Sequence, residues 1–375
     1  MRKSKVALAV WLALPLIVLA ALIWAISLSQ DSRDHMRDEY PPVGAGANDT
    51  GGVNAIGELA SGNKANHGTP EGRPEPSEVP PAPPPVTPEP TPTPNATPTP
   101  APAGPSILGD LRRLSVPGDP SGGTSELLIW VPPGYDDPAN ATRTYPVLYL
   151  HDGQNLFGTP SEAPGEWRVD ETATDLIARG VMTPTIIVGI PHHGVARISE
   201  YLPIPAIGGF TPKGETHVQW LVNEVVPRVS AAYRVRTGPK STGVGGSSLG
   251  AVIALHAATT HPQTFGIVLA ESLPLRTGDG DAWDAWIVSR EHWPARIYLG
   301  VGEAETGTDP ANAGRNLAYV SAVRALDRRL KDAGLGPASK LLIVEPGAVH
   351  NEAAWARRLP QALTFLFPPP VDSTK

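Results

Sequence analysis

Gly246-Ser247-Ser248-Leu249-Gly250 decides the fold of this chain. It has the Gly-x-Ser-x-Gly form of a nucleophile elbow, in which a serine stands on a tight turn between a strand and a helix. Lys240–Gly245 can form the strand and Ala251–Ala258 the helix. Glycines leave room for a strained backbone at Ser248, and the amide of Leu249 can point at a developing oxyanion. A glycine-rich turn without chemistry fits these residues equally well, so the rest of the sequence must decide.

Apolar strand patterns and helical patterns alternate on both sides of the elbow. Besides the elbow strand, strands are predicted at Glu126–Val131, Pro146–Leu150, Thr185–Ile190, Phe265–Ala270, Ala295–Gly300 and Lys340–Val344. Helices are predicted at Val169–Arg179, His217–Val229, Asn316–Asp332 and Glu352–Phe367. This alternation predicts an α/β fold with a mostly parallel central sheet and helices on both faces. Ligands bind beyond the carboxyl ends of the strands in such sheets, so the residues that follow each strand matter most.

Polar residues directly follow three of these strands. His151–Phe157 comes after the second strand, and a loop there can donate a second amide to an oxyanion, from Gly153 or Gln154. The chain continues in the order of a Ser–acid–His hydrolase: Ser248 first, then the Glu303 and Glu305 carboxylates, then His350.

The chemistry requires each member of this set. A serine hydroxyl is a weak nucleophile at neutral pH, and His350 would accept its proton and later return it to the leaving group. A carboxylate would hold the imidazole in the right tautomer, and Glu303 and Glu305 both qualify on their position in the sequence.

Three stretches resemble signatures of the putative-esterase family of α/β-hydrolases: Tyr149–Phe157, Gly246–Gly250 and His350–Trp355. This group includes esterase D-like, enterochelin esterase-like and feruloyl esterase-like enzymes. Trp167–Asp170 and the segment from Arg197 to Pro203 fit it too, and the resemblance covers about residues 120 to 367. It implies an α/β-hydrolase fold and a serine esterase that needs no cofactor or metal.

The resemblance also implies roles for individual residues. Ser248 becomes the nucleophile and His350 the base, and the spacing from Gly302 favours Glu305 over Glu303 as the acid. The oxyanion hole is assigned to Leu249 with Gly153 or Gln154. A tentative substrate pocket comprises Asp152, Asn155, Arg197, Glu200, Tyr201 and Ser247.

Two inserts, at residues 191–214 and 273–294, are expected to set specificity, although no motif in them can be decoded. In the second insert, Trp283, Trp286 and Trp293 would either stack on a substrate or pack in the core. His192-His193 could in principle bind a metal, but adjacent residues of an extended segment rarely point at one ion.

The N-terminal part of the chain predicts a membrane attachment. Basic residues precede an uncharged run from Val6 to Leu28, which is long enough to cross a hydrocarbon core of about 30 Å. We therefore predict an anchor over residues 1–29, with a cleaved signal peptide as the alternative. A disordered Pro/Thr-rich linker over 30–105, an esterase domain over 106–369 and a short tail over 370–375 follow. The basic flank places the domain outside the cytoplasm, or secretes it if the segment is cleaved.

Composition narrows the function further. The net charge of −7 and the pI near 5.8 argue against a nucleic-acid binder, and the absence of cysteine excludes disulfides and a cysteine nucleophile. The sequence therefore predicts an extracytoplasmic serine esterase for a small-molecule or polysaccharide-linked ester. The alternatives are an acyltransferase of the mycolyltransferase type and a non-catalytic polysaccharide-binding module. The oligomeric state is left open by the sequence.

Overall fold

A computed structural model of the chain describes residues 107–158 and 165–369. The predicted anchor over 1–29, the linker over 30–105 and the tail over 370–375 lie outside these residues. Among the residues that the structure describes, no helix combines the length and the apolar character needed to span a bilayer.

One eight-stranded sheet forms the centre of the described region. Its strands are β1 (Asp110–Pro117), β2 (Thr124–Val131), β3 (Val147–His151), β4 (Ile186–Ile190), β5 (Thr242–Ser247), β6 (Ile267–Glu271), β7 (Arg296–Gly302) and β8 (Lys340–Glu345). They lie in the order β1-β2-β4-β3-β5-β6-β7-β8. The β1–β2 and β2–β4 pairs are antiparallel, and β4, β3 and β5 through β8 pair in parallel. The mostly parallel sheet expected from the sequence is confirmed.

Helices occupy the connections between the strands. They are α1 (Val169–Ala178), α2 (Arg197–Tyr201), α3 (Gly214–Trp220), α4 (Val226–Ala232), α5 (Leu249–Thr260), α6 (Gly280–Val288), α7 (Ala313–Asp332) and α8 (Glu352–Leu366). A π-helical turn at Leu221–Val225 joins α3 to α4, so the predicted helix over 217–229 is a longer, irregular segment. Pro227 near the start of α4 lacks the N–H that a regular helix needs, which accounts for the irregular turn before it.

The sheet separates two apolar cores. Along β3, Val147 and Tyr149 point into the core beneath α3 to α7, whereas Leu148 and Leu150 point into the core beneath α1 and α8. All five residues of β3 are buried, as in a strand that is covered on both faces. The helices therefore lie on both faces, and the carboxyl ends of β3, β5, β7 and β8 form one edge.

Several further elements differ from the sequence prediction, among them the short helix α2, which was not predicted. The elbow strand runs from Thr242 to Ser247, two residues later than predicted, because Pro239–Ser241 forms a 3-10 turn first. Strand β1 is additional, and it pairs with β2 along its whole length at the edge of the sheet. Helix α6 is also additional, lies in the second insert, and is capped by the Asp279 side chain.

Candidate active site

Ser248 lies on a strained turn between β5 and α5. Its backbone has φ 54° and ψ −129°, a region that residues other than glycine rarely adopt. A side chain on Gly246 would come within 2.8 Å of the backbone of Gly250, so the turn tolerates only glycine there. The amide of Ser248 donates to the carbonyl of Glu271 at the end of β6 (2.9 Å). The turn is thereby fixed to the neighbouring strand, with Leu249 opening the helix and Ser248 half-buried.

An imidazole and a carboxylate meet at the same edge of the sheet. The Nδ1 of His350, in the loop after β8, lies 2.7 Å from Oε2 of Glu305, in the turn after β7. Glu305 is buried, and the side chain of His350 keeps 29% of its surface exposed. Glu303 is exposed, and its amide donates to the carbonyl of Glu345. Of the two candidate acids, only Glu305 contacts His350.

Three donors surround the Glu305 carboxylate. Besides His350, Oε1 accepts hydrogen bonds from the Ser272 hydroxyl (2.6 Å) and the Gly302 amide (2.6 Å). Burial alone would raise the pKa of Glu305, but His350, Ser272 and Gly302 together hold this pKa below its ordinary value. The carboxylate is therefore ionised at neutral pH, as an acceptor for the N–H of an imidazole must be.

The loop after β3 carries the predicted second oxyanion donor. Gly153 and Gln154 open a 3-10 turn, so their amides have no acceptor within that turn. A Cβ on Gly153 would lie 2.6 Å from the backbone of Gly189 in β4, so only glycine allows the loop to pack this closely. The side-chain oxygen of Gln154 accepts from the amide of His192 (3.2 Å). The turn is thus held from two sides.

Asp152 and Arg197 form a bidentate ion pair beside this turn. The distances are 2.7 Å from Nε to Oδ1 and 2.8 Å from Nη2 to Oδ2. Burial would raise the pKa of Asp152, and Arg197 more than reverses that effect and lowers it. A Cβ on Gly250 would lie 3.0 Å from the Asp152 carboxylate, so this ion pair lies directly against the start of α5.

Several of the tentative pocket residues lie behind the site. Glu200, Tyr201 and Ser247 are all buried, and Glu200 accepts from Nδ1 of His193 (3.0 Å). In this structure they support the loops, and a substrate would not reach them. Asn155 and Arg197 are half-buried and keep solvent-facing surface, so of the tentative set these two fit a pocket best.

The three tryptophans of the second insert also differ in burial. Trp283 and Trp286 are buried in α6 with their rings 5.7 Å apart, so they pack in the core as the second interpretation held. Trp293 is half-buried.

The family described as a putative esterase matches residues 122–366, more than half of the chain. The chain belongs to the putative esterase family. Family membership makes it a carboxylic ester hydrolase of the α/β class, and it confirms the resemblance expected from the three sequence signatures.

A curated relative and several solved structures are similar to this chain. The uncharacterized protein YbbA of Bacillus subtilis (strain 168) is 23% identical over 257 residues, covering 65% of this chain and 93% of its own. A ferulic acid esterase superposes with a TM-score of 0.53 at 16% identity, covering 69% of this chain and 98% of its own. The enterobactin esterase FES of Shigella flexneri superposes with a TM-score of 0.51 at 20% identity, covering 70% and 61%. At these identities the superpositions establish the shared fold.

One part of this esterase site was missed by sequence reasoning. Ser272 follows β6 directly and donates a hydrogen bond to Glu305, yet it was not among the residues singled out from the sequence. The signal was present, because Glu271-Ser272 is a polar pair directly after an apolar strand. The same rule that led to His350 would have led to Ser272.

A separate carboxylate cluster lies at the start of α1. One oxygen from each of Glu166, Asp170 and Glu171 lies within 4.8 Å of the others, a spacing that a cation could bridge. Asp170 also accepts from the amide of Leu108 (2.7 Å), so it ties the N-terminal side of β1 to this helix. The predicted chemistry of the esterase uses none of these carboxylates.

Proposed function

We propose that this esterase hydrolyses carboxylic esters through an acyl-enzyme on Ser248, with Glu305 and His350 completing the triad. The observation that carries the proposal is the 2.7 Å contact between His350 and Glu305 at the sheet edge where the strained turn presents Ser248. Exposed Glu303 does not make this contact. Chain order, elbow geometry and a buried acid all support the same assignment.

The first half of the reaction forms the acyl-enzyme. Nε2 of His350 accepts the proton of the Ser248 hydroxyl as Oγ attacks the ester carbonyl carbon. Because Glu305 accepts a hydrogen bond from Nδ1–H of His350, Nε2 is the free basic nitrogen of the neutral ring, and the Glu305 carboxylate stabilises the imidazolium that forms. His350 then gives the proton to the departing alkoxide, and the alcohol leaves.

The oxyanion of the tetrahedral intermediate needs two amides. The amide of Leu249 is the first, because it opens α5 and has no acceptor in the helix. Gly153 or Gln154 supplies the second, from the 3-10 turn after β3. The Asp152–Arg197 ion pair keeps that turn against α5 and so sets the separation of the two donors.

The second half of the reaction consumes water. The ring of His350 keeps 29% of its surface exposed, so water can approach Nε2 and be activated for attack on the acyl carbon. This exposure favours hydrolysis over transfer of the acyl group to a sugar, which requires water to be excluded. The proposed substrate is a small-molecule carboxylic ester. Two structural neighbours, named as a ferulic acid esterase and an enterobactin esterase, are in keeping with this class. We place the enzyme outside the cytoplasm, on the evidence of the apolar run from Val6 to Leu28.

The test is hydrolysis of p-nitrophenyl acetate and butyrate by the full-length chain, with Ser248→Ala and Ser289→Ala compared. Ser248→Ala should lower kcat by at least about 10³-fold, because the nucleophile is lost, and a fluorophosphonate probe should label wild type and Ser289→Ala but not Ser248→Ala. Ser289→Ala removes a hydroxyl at the end of α6 and should leave the rate unchanged. Equal labelling and turnover in wild type and Ser248→Ala would reject the proposal.

A further inference from the structure

We propose that Ser272 and Trp355 are positioning residues for the triad acid. Together they direct a hydrogen bond from the Ser272 hydroxyl to Oε1 of Glu305, and this orients Oε2 toward His350. The inference rests on the proposed function, since it bears on catalysis only if Glu305 is the acid. It gives a task to two residues that the catalytic steps leave unused. One of them, Trp355, closes the His350–Trp355 signature.

The direction of each hydrogen bond follows from the donors available. The indole Nε1 of Trp355 lies 2.9 Å from Oγ of Ser272, and an indole N–H can only donate. Oγ of Ser272 therefore accepts from Trp355. Its single proton remains for Oε1 of Glu305, 2.6 Å away. Trp355 thus prevents the hydroxyl from turning away from the carboxylate.

The backbone of Ser272 is held just as firmly. Its φ is 51°, in the left-handed region that residues other than glycine seldom occupy, and the residue is completely buried. Its amide donates to the carbonyl of Gly300 (2.8 Å), and its carbonyl accepts from the hydroxyl of Tyr319 in α7 (2.6 Å). A strained, buried position is a poor place for a serine unless the hydroxyl is needed.

Trp355 contacts His350 and the Ser272 hydroxyl that donates to Glu305. Its ring stands edge-on to the ring of His350, with centroids 5.2 Å apart and an interplanar angle of 83°. On its other side it packs against Trp167, 5.6 Å away, which anchors it to the segment before α1. A single side chain therefore confines the imidazole and orients the donor to the carboxylate.

The ionisable groups that face Glu305 come from three elements. His350 comes from the loop after β8, Glu271 from the end of β6, and Tyr319 from α7. Glu271 repels a second negative charge, so the donated hydrogen bonds are needed to keep Glu305 ionised. Removal of the Ser272 hydroxyl leaves only His350 and the Gly302 amide, and it should raise the pKa of Glu305.

The experiment compares Ser272→Ala and Trp355→Phe with Trp130→Phe in the full-length chain. Trp130 is a buried tryptophan of β2 whose Nε1 donates to the carbonyl of Leu108 (2.7 Å), so it controls for loss of a buried indole hydrogen bond. The measurement is kcat and kcat/KM for p-nitrophenyl butyrate across pH 3 to 9, a range that includes the lowered pKa of Glu305. We expect kcat to fall about tenfold in Ser272→Ala and about threefold in Trp355→Phe. In Ser272→Ala and Trp355→Phe, the acidic limb of the kcat/KM profile should move to higher pH by about half a pH unit. In Trp130→Phe this limb should stay at its wild-type position.

A second readout does not depend on activity. With glutamate labelled at the carboxyl carbon, ¹³C NMR follows protonation of Glu305, whose signal is assigned by its loss in Glu305→Gln. The midpoint should move to higher pH in Ser272→Ala and Trp355→Phe. The proposal would be overturned if kcat fell at every pH while the acidic limb of the pH–rate profile and the titration midpoint of Glu305 both stayed at their wild-type positions. Both residues would then have a structural role only.

The two proposals can fail separately. A wild-type chain that hydrolyses no ester, but whose Glu305 midpoint still moves in the variants, would reject the proposed function and support the positioning of Glu305. If Ser272→Ala does not fold, Trp355→Phe still decides, because it keeps Ser272 and the aromatic contact with His350.

Discussion

At the scale of single residues, the two glutamates after β7 differ more in environment than in sequence position. Glu305 is buried under three donors, whereas Glu303, two residues earlier, is exposed. The difference follows from Gly302, where a Cβ would lie 2.2 Å from the carbonyl oxygen of Ala348. The strand therefore passes close under the loop that carries His350, and the turn after it directs Glu305 inward.

This difference makes a paired prediction. Glu305→Gln should lower kcat about 10³- to 10⁴-fold, because an amide can neither fix the imidazole tautomer nor stabilise the imidazolium. Glu303→Gln should change kcat by less than about twofold, since it alters an exposed side chain. Initial rates with p-nitrophenyl acetate, together with melting temperatures, test both. If Glu303→Gln lowered kcat strongly and Glu305→Gln did not, Glu303 would be the triad acid instead of Glu305.

The Asp152–Arg197 ion pair allows a second prediction at this scale. Arg197→Met keeps most of the stem but leaves the buried carboxylate of Asp152 without its cation, so the free energy of unfolding should fall by about 3 kcal/mol. Adding Asp152→Asn should recover part of that loss, because no charge is then left unpaired. Urea unfolding measures both steps.

Arg179→Met is the matched control for this cycle. Arg179 pairs with Asp175 on α1, and both side chains are 61% exposed, so the change should cost less than about 0.5 kcal/mol. An equal loss of unfolding free energy in Arg179→Met and Arg197→Met would show that the buried ion pair stabilises the fold no more than an exposed one. A double variant no more stable than Arg197→Met would argue the same.

At the scale of elements, a buried ion pair joins the sheet to α8. Arg358 in α8 donates to Oε2 of Glu271 from Nε (3.0 Å) and Nη2 (2.6 Å), and also to Glu345 at the end of β8 (2.7 Å). Burial raises the pKa of Glu271 to about 7, and Arg358 offsets only part of that effect. The other oxygen of Glu271 has no partner among the described residues.

The raised pKa of Glu271 has a stability consequence with a definite sign. The folded state holds this proton to about pH 7, whereas an unfolded glutamate loses it near its ordinary pKa of 4.5. The contribution is therefore complete below the unfolded value and is lost as pH rises through the folded one. The free energy of unfolding should decrease more from pH 5 to pH 8 in wild type than in Glu271→Gln. Urea unfolding at both pH values measures this, and parallel pH dependence would contradict it.

Elements built on apolar runs were the predictable part of this fold. The runs at β3 and β4 gave boundaries within one residue, because a strand covered on both faces is apolar along its whole length and its limits are clear in the sequence. Strand β1 was not predicted because adjacent Arg112 and Arg113 break the alternation of apolar and polar residues. Its pairing with β2 along its whole length makes it a strand in the structure.

Contacts between distant segments were the part that the sequence could not provide. Ser248, Glu305 and His350 were found because each follows its own strand, and parallel strands end at one edge. The burial of Tyr201 and Glu200 depends on how α2 packs beneath the loop after β3, and no local pattern encodes that packing. Residues near one another in the sequence were therefore assigned to a pocket that the fold partly closes.

At the scale of the whole molecule, the catalytic parts and the proposed membrane attachment lie in separate stretches of chain. Every residue assigned to the reaction or to positioning its acid falls between Asp152 and Trp355, within the residues that match the family. The apolar run from Val6 to Leu28 precedes that match and belongs to the proposal for location alone. Activity and location should therefore respond to different changes.

Deletion of residues 2–29 tests that separation. The full-length chain should sediment with membranes and resist carbonate extraction, because a run of this length buries its backbone hydrogen bonds and side chains in the bilayer. The deleted form should remain in the supernatant with an unchanged kcat/KM, since the triad and oxyanion loop are intact. Leu16→Arg with Val18→Arg in the full-length chain should act like the deletion, because each charge costs about 3 kcal/mol at the bilayer centre. A mature N-terminus beginning shortly after Leu28 would replace the anchor by a cleaved signal. A full-length chain found in the soluble fraction would contradict the anchor.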